Sequence, residues 1–164
     1  MQQAPERRSI DYLEELRHSP HVCLAEGLRA ANRAVGKIYA AHMAGAEVSP
    51  AQSSLLTRLY YLREATMSDL AAHMETDRTT MARNVDLLRR SGHVEIVTGR
   101  EDRRRKLVRM TDKGFAALER SLPLWREAQD ALRAALGEAM WASLLSETRE
   151  LARLGGLAHD RRER

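Results

Sequence analysis

The chain has 164 residues, one domain's worth or one domain with extra helices, and its 43% hydrophobic and 30% charged content describes a globular chain rather than a disordered one. No apolar run approaches the ~18 residues of a membrane span, and the opening MQQAPERRSIDYLEEL lacks the apolar core of a secretion signal. A single cysteine, Cys23, excludes an internal disulfide and a zinc site of several thiolates, so a reducing cytoplasm is the expected location, and the net charge of +4 leaves a polyanion partner open.

Taken in chain order, residues 1–20 are polar, with a short helix expected over Ile10–Arg17 that Pro20 breaks. From His21 to about Ala44 the apolar residues Val22, Leu24, Leu28, Ala31, Val35, Ile38, Tyr39 and Met43 recur at helical spacing, and Gly45 ends that helix. Ser49 caps a second helix with Pro50 at its first position and Leu55, Leu56, Leu59 and Leu62 on its apolar face. Thr66 or Ser68 caps a short third helix bearing Leu70, Ala71 and Met74. After a turn at Glu75–Asp77, Asp77 or Thr76 caps a fourth helix over Arg78–Arg90. Its inner stripe is Met81, Val85, Leu87 and Leu88, and Ser91-Gly92 closes it.

Beyond Gly92 the period changes. Val94–Thr98 and Lys106–Thr111 read as two strands joined by the charged loop Gly99–Arg105, a hairpin. Thr111 caps a long helix carrying Phe115, Leu118, Leu122, Trp125, Leu132 and Leu136, with a kink possible at Pro123 and a break at Gly137. A last helix bears Met140, Leu144, Leu145, Leu151 and Leu154 and is expected to end at Gly155-Gly156, before a frayed tail. The fold class is therefore mostly α with a small β-hairpin: a winged helix-turn-helix flanked by N- and C-terminal dimerisation helices. Residues 48–111 form the DNA-binding part, and 1–47 with 112–164 form the dimerisation helices.

The charge distribution points the same way. Arg78 to Arg109 holds ten basic and four acidic residues, while the rest of the chain is slightly acidic. A basic island on an acidic body is the footprint of a nucleic-acid partner. The second helix of a helix-turn-helix offers its N-terminal side chains to base edges in a major groove ~12 Å wide. Here those are Arg78, Thr79, Thr80, Arg83 and Asn84. Arginine binds guanine in a bidentate manner, Asn pairs with adenine, and Thr meets either base or a thymine methyl. Ser68, at the start of the preceding helix, suits a backbone phosphate. The hairpin tip, with Arg103, Arg104 and Arg105, is long and cationic enough to reach a minor groove.

These segments resemble the MarR family of bacterial transcriptional regulators. The wing pattern Asp-x-Arg followed by β residues and Thr-x-x-Gly appears as Asp102-Arg103-Arg104 through Thr111-Asp112-Lys113-Gly114. The stretch Thr76–Gly92 looks like the family's recognition helix, and Pro50-Ala51-Gln52 fits the start of its second helix. The resemblance covers roughly residues 20–155. It implies that Asp102 braces the wing through a nearby Arg and that Arg104 enters the minor groove, the alternative being that Arg103 and Arg105 take those roles or merely track phosphate. It implies a homodimer on a pseudo-palindromic double-stranded operator. It also implies a repressor released by a small aromatic or phenolic ligand held between the dimerisation and DNA-binding parts. His21, Tyr39, His42, Tyr60 and Arg63 are the polar candidates there.

Two alternatives remain open at this stage. Cys23 near the start of the first long helix could sense peroxide, although Gly27 and Leu28 stand where an activating tyrosine would, and a Cys among Val22, Leu24 and Leu28 reads as a small buried hydrophobe. A non-specific DNA-organising protein would need basic charge over most of its surface rather than on one island. No metal site is expected, because Pro20 separates His18 from His21 and no Cys or acidic partner stands at ligand spacing. No cofactor is implied. No nucleophile elbow, phosphate loop or HExxH pair is present, so an enzyme is not expected.

Overall fold

The computed structural model describes residues 23–99 and 102–160, with side chains as far as Leu154. His21 and the expected helix over Ile10–Arg17 lie outside the described residues. Six helices and three strands make up the described chain: α1 (Leu24–His42), α2 (Pro50–Leu62), β1 (Glu64–Thr66), α3 (Met67–His73), α4 (Arg78–Arg90), β2 (Val94–Thr98), β3 (Lys106–Met110), α5 (Asp112–Leu136) and α6 (Glu138–Asp160). None of these helices is long and apolar enough to cross a membrane.

Two compact units divide the chain, Met1–Lys37 and Ile38–Arg164. In the first, the described residues are Cys23 and the N-terminal part of α1, whose Leu24, Leu28 and Val35 are exposed. Cys23 is exposed as well, which corrects the expectation of a buried thiol.

In the second unit, the apolar faces of α2, α3 and α4 close over the sheet. Leu55, Leu56, Leu59, Leu70, Met81, Val85, Leu88, Val94 and Val108 form one buried cluster. Truncating a fully buried leucine such as Leu56 would cost about 2–5 kcal/mol, from lost transfer energy and an unfilled cavity. Leu87 is not part of this stripe. It is 43% exposed, because it falls one position off the 3-and-4 spacing that turns Met81, Val85 and Leu88 inward.

The sheet has one strand more than the expected hairpin. β1 pairs antiparallel with β3 (Ala65 opposite Val108), and β3 pairs with β2 (Ile96 opposite Val108), in the order β1-β3-β2. Three residues are too few to show alternation, so only the partner strand defines β1.

The caps follow the side chains. Ser49 and Gln52 form a reciprocal capping box on α2, and Thr66 and Asp69 form another on α3. Thr66, not Ser68, is therefore the cap of α3, and Ser68 is its second helical residue. Asp77 caps α4 and Thr111 caps α5. α4 ends in a Schellman motif: the Gly92 N–H donates to Arg89 O (3.0 Å) and the His93 N–H to Leu88 O (2.9 Å), with Gly92 at φ +78°.

Helix α5 buries Ala117, Leu118, Ser121, Ala128 and Leu132, and Ser121 meets Ser53 of α2. The Ser121 hydroxyl donates to Leu118 O (2.8 Å), so Ser53 donates to Ser121 Oγ (2.9 Å). Small residues on both helices let the two backbones approach closely. Pro123 lies within α5 without ending it, while Gly137, at φ +75°, separates α5 from α6. α6 continues through Gly155-Gly156 to Asp160, further than the paired glycines suggest, since two glycines weaken a helix but do not forbid its conformation.

Glu47, just before α2, gathers three nitrogen partners. His93 Nε2 lies 3.0 Å from Glu47 Oε1, Lys113 Nζ lies 3.3 Å from the same oxygen, and Arg120 donates to Oε2 at 2.8 Å. The His93 hydrogen bond first, then those of Arg120 and Lys113, lowers the Glu47 carboxyl from its ordinary 4.5 to about 2. A carboxyl held below its unfolded value stabilises the fold above that value, and the gain disappears as pH falls through the folded one. Wild type is therefore expected to melt higher than Glu47→Gln at neutral pH, with the gap closing between about pH 4.5 and 2 in thermal unfolding followed by circular dichroism.

Candidate nucleic-acid interface

The helix-turn-helix is α3 and α4, and the wing is β2 and β3 with the loop between them. α4 presents Arg78, Thr79, Thr80 and Arg83 as exposed side chains at its N-terminal end, and Asn84 half-buried behind them. Asp77 Oδ1 accepts the Thr80 N–H (2.9 Å), and its Oδ2 accepts the Thr80 hydroxyl (2.6 Å). Those two bonds hold the Asp77 carboxyl below the usual carboxylate range. The Thr80 proton is thereby committed to the cap, which leaves its oxygen as an acceptor and its methyl as a contact surface. Asp77→Ala is expected to lower Tm by a few degrees, since one orphan N–H loses its acceptor while the buried stripe is untouched. Thermal melts would check it.

The wing loop is folded around Asp102. Its Oδ1 accepts the Arg104 backbone N–H (2.9 Å), its carbonyl accepts the Arg105 N–H (3.0 Å), and the Gly99 N–H donates to Arg105 O (2.9 Å). Asp102 thus braces the turn through the main chain. Among the described residues no guanidinium pairs with it. The reason is local: a carboxylate two residues before an amide closes an Asx turn without any side-chain partner. Arg105 lies 3.8 Å from Asp69, which ties the wing base to the start of α3.

The remaining charges of the basic segment divide into two groups. Arg109 donates to Glu95 across the β2–β3 ladder through Nε (3.1 Å) and Nη2 (2.9 Å). Arg89 and Arg90 both pair with Asp86, and Lys106 Nζ donates to Thr98 (3.0 Å). Among the described residues, Arg78, Arg83, Arg103 and Arg104 make no side-chain hydrogen bond or ion pair within the chain. They stand at the head of α4 and the tip of the wing, the two places where a duplex would be met. Ser68 is exposed on the first turn of α3.

A second feature lies between α2 and α5. An open apolar groove of about 430 Å³ is lined by Thr57, Tyr60, Tyr61, Phe115, Leu118, Glu119 and Leu122. A neighbouring hollow of about 370 Å³ shares Thr57, Tyr61 and Leu122 and adds Arg58 and Trp125. Tyr60 meets Tyr61 edge-on at 5.5 Å and Phe115 at 6.3 Å between ring centres. Phe115 and Trp125, two of the apolar residues of α5, are 41% and 40% exposed, while Ala117, Ser121 and Ala128 are among its buried ones. Of the residues singled out for a ligand, Tyr60 lines this groove. The His42 ring bonds Ile38 O of its own helix (2.9 Å), Tyr39 is half-buried with its hydroxyl pKa raised by burial, and Arg63 is the exposed cap of α2 at φ 65°. None of these three lines it. In the sequence Tyr61, Phe115 and Trp125 carry no ligand signal, since an aromatic at helical spacing reads as core. The adjacent pair Tyr60-Tyr61 was the one signal, as both cannot face inward on one helix.

The family model described as MarR family matches residues 47–105, the segment just described. The structure of the M. tuberculosis transcriptional regulator MosR, solved in complex with DNA, is 31% identical. The match covers 84% of this chain and 98% of that one, at a TM-score of 0.75. The chain belongs to the MarR family. Fold and family are therefore those of transcriptional regulators. The repressor CouR, bound to a 23-mer DNA duplex, is 26% identical over 90% of this chain and 99% of that one, with a TM-score of 0.72. Wild-type MarR from E. coli, at 20% identity over 80% and 98% and a TM-score of 0.65, shares the fold. A sequence comparison with curated proteins finds no match.

Proposed function

We propose that this MarR-family chain is a cytoplasmic, sequence-specific DNA-binding repressor that acts as a homodimer on a pseudo-palindromic operator and releases it on binding a small aromatic anion. The observation that carries the reading is the set of four exposed guanidiniums, Arg78, Arg83, Arg103 and Arg104, on the reading helix and the wing, which are unpaired among the described residues. An unpaired, exposed arginine keeps its full capacity for phosphate or guanine, and the ion pairs elsewhere in the segment make the remaining cations local rather than general. In this reading α4 enters the major groove, Ser68 meets a phosphate, and Arg104 reaches the minor groove. MosR and CouR were both solved on DNA, which supports the same use here.

Dimerisation is supported by the exposed apolar side chains of α6, Met140, Leu144, Leu145, Leu151 and Leu154, which no part of the second unit covers. A palindrome is read by two heads related by a twofold axis. The effector is supported by the aromatic groove, where Tyr61, Phe115 and Trp125 offer ring faces and Arg58 a charge for a carboxylate or phenolate. Such a ligand releases DNA only if it favours one arrangement of the heads over the other.

The deciding experiment is fluorescence anisotropy on DNA from upstream of the protein's own gene beside a scrambled duplex of equal length, at two salt concentrations. Affinity for the upstream DNA about 10³-fold tighter at physiological salt is expected. Equal, steeply salt-dependent affinities for both, repeated with the best duplex from a random-library selection, would mean that the protein only coats DNA. In the same assay Arg83→Ala is expected to cost about 1–3 kcal/mol and to relax base preference at one position of each half-site. A uniform loss over all sequences would make Arg83 a phosphate contact.

A further inference from the structure

The C-terminal end of the reading helix is held by more than its Schellman motif. His93, directly after it, is 2% exposed. Its Nε2 faces the Glu47 carboxylate at 3.0 Å. A carboxylate ionised down to about pH 2 can only accept, so Nε2 carries the proton. Nδ1 lies 2.7 Å from Ser91 Oγ, the cap residue of α4. The imidazole therefore bridges Glu47 to the end of the reading helix. From the other side, α5 grips the same three residues: Lys113 Nζ donates to Ser91 O (2.8 Å), the Thr111 hydroxyl to Gly92 O (2.7 Å), and the Thr111 N–H to His93 O (3.0 Å). Lys113 and Arg120 of α5 then return to Glu47, which closes the ring.

Glu47 lies at the one point where the segment before α2, the end of α4 and the first three turns of α5 meet on a single charged group. The reading helix can pivot on α5 only by breaking that set of bonds. We propose that Glu47 is a positioning residue: through His93 it locks α4 to α5 and so sets the separation at which a dimer's two reading heads stand. This rests on the dimeric DNA-binding reading above. A one-base-pair change in the spacing of two half-sites moves one head ~3.4 Å along the duplex and turns it by roughly 35°, so a rigid head pays for every added base pair and a loosened one does not.

The test compares wild type with Glu47→Gln and Arg120→Gln. Glu47→Gln keeps the shape but loses the charge, and Arg120 is mostly exposed, so its loss leaves the core intact. Two readouts are taken: amide hydrogen exchange at Ser91–His93 without DNA, and affinity for duplexes whose half-site spacing is changed by one and two base pairs. In Glu47→Gln, exchange at these amides should quicken about tenfold, from local opening of the helix end. The spacing penalty should fall from about tenfold per base pair to about threefold, with binding to scrambled DNA unchanged. Arg120→Gln should move both readouts in the same direction by less. An unchanged spacing penalty, or unchanged exchange, overturns the proposal. Wild type that does not distinguish operator from scrambled DNA sinks the DNA-binding reading instead; exchange then decides alone, faster exchange upholding the lock and unchanged exchange refuting it.

Discussion

Gly114→Ala is expected to cost on the order of 3–5 kcal/mol, a large share of a domain's total stability. In an exposed helix the same change would be stabilising by up to about 1 kcal/mol, since alanine is the better helix former. Here the sign reverses. Gly114 sits in the first turn of α5, and a Cβ built on it would overlap the His93 carbonyl oxygen and stand 2.7 Å from Met110 Cγ. The carbonyl cannot yield, because it accepts the Thr111 N–H at 3.0 Å and belongs to the chain that leaves α4. Making room would move α5 off the end of the reading helix and separate Met110 from the core. Circular dichroism melts of the two proteins would show the drop. A Tm within a degree or two of wild type would mean that the helix and the wing are not packed as closely as the structure has them.

Arg104→Ala is expected to weaken operator binding about tenfold to a hundredfold, while Tm and the dimer are unchanged. Among the described residues the side chain makes no hydrogen bond or ion pair, so removing it leaves their contacts intact. The backbone amide that Asp102 holds remains, so the turn survives. The loss falls on the complex, where an arginine in a narrow minor groove meets enhanced negative potential. Replacing A·T pairs by G·C at the wing contacts should therefore weaken wild type but leave Arg104→Ala nearly unaffected. Arg103→Ala is the comparison: a loss equal on every sequence, with a shallower salt dependence, is the mark of a phosphate contact. If Arg104→Ala dissociates the dimer, the wing has been assigned to the wrong face.

These expectations draw on different depths of information. The order of helices, turn and wing was legible because each signal is local. Ser49-Pro50, Asp77, Ser91-Gly92 and Thr111 act on backbone groups within four residues of themselves, and Met81, Val85 and Leu88 repeat at the helical period. The wing arginines were legible from their density alone. The resemblance implies an Arg partner for Asp102 and does not convey the amide two residues along that its carboxylate accepts. Apolar character alone places Leu87 on the inner stripe of α4, and the structure exposes it. Which side of a helix is buried depends on the neighbour, and α5 meets α2 at Ser121, which bonds Ser53.

The sequence by itself determined the local geometry and the charge: where helices begin and end, where the wing turns, and which segment is basic. It also determined the family, through Asp102–Gly114 and Thr76–Gly92. Only the tertiary structure decided which of those charges pair with one another. Glu95 finds Arg109 fourteen residues away across a ladder, and Glu47 finds His93, Lys113 and Arg120 from separate elements. It alone decided that Glu64–Thr66 is a strand, that Tyr60, Tyr61 and Phe115 share a groove, and that Gly114 touches His93. The physical reason is common to all of them. A cap or a period is satisfied within one turn of chain, whereas an ion pair, an edge strand or a missing Cβ has meaning only when folding brings a distant partner within about 4 Å.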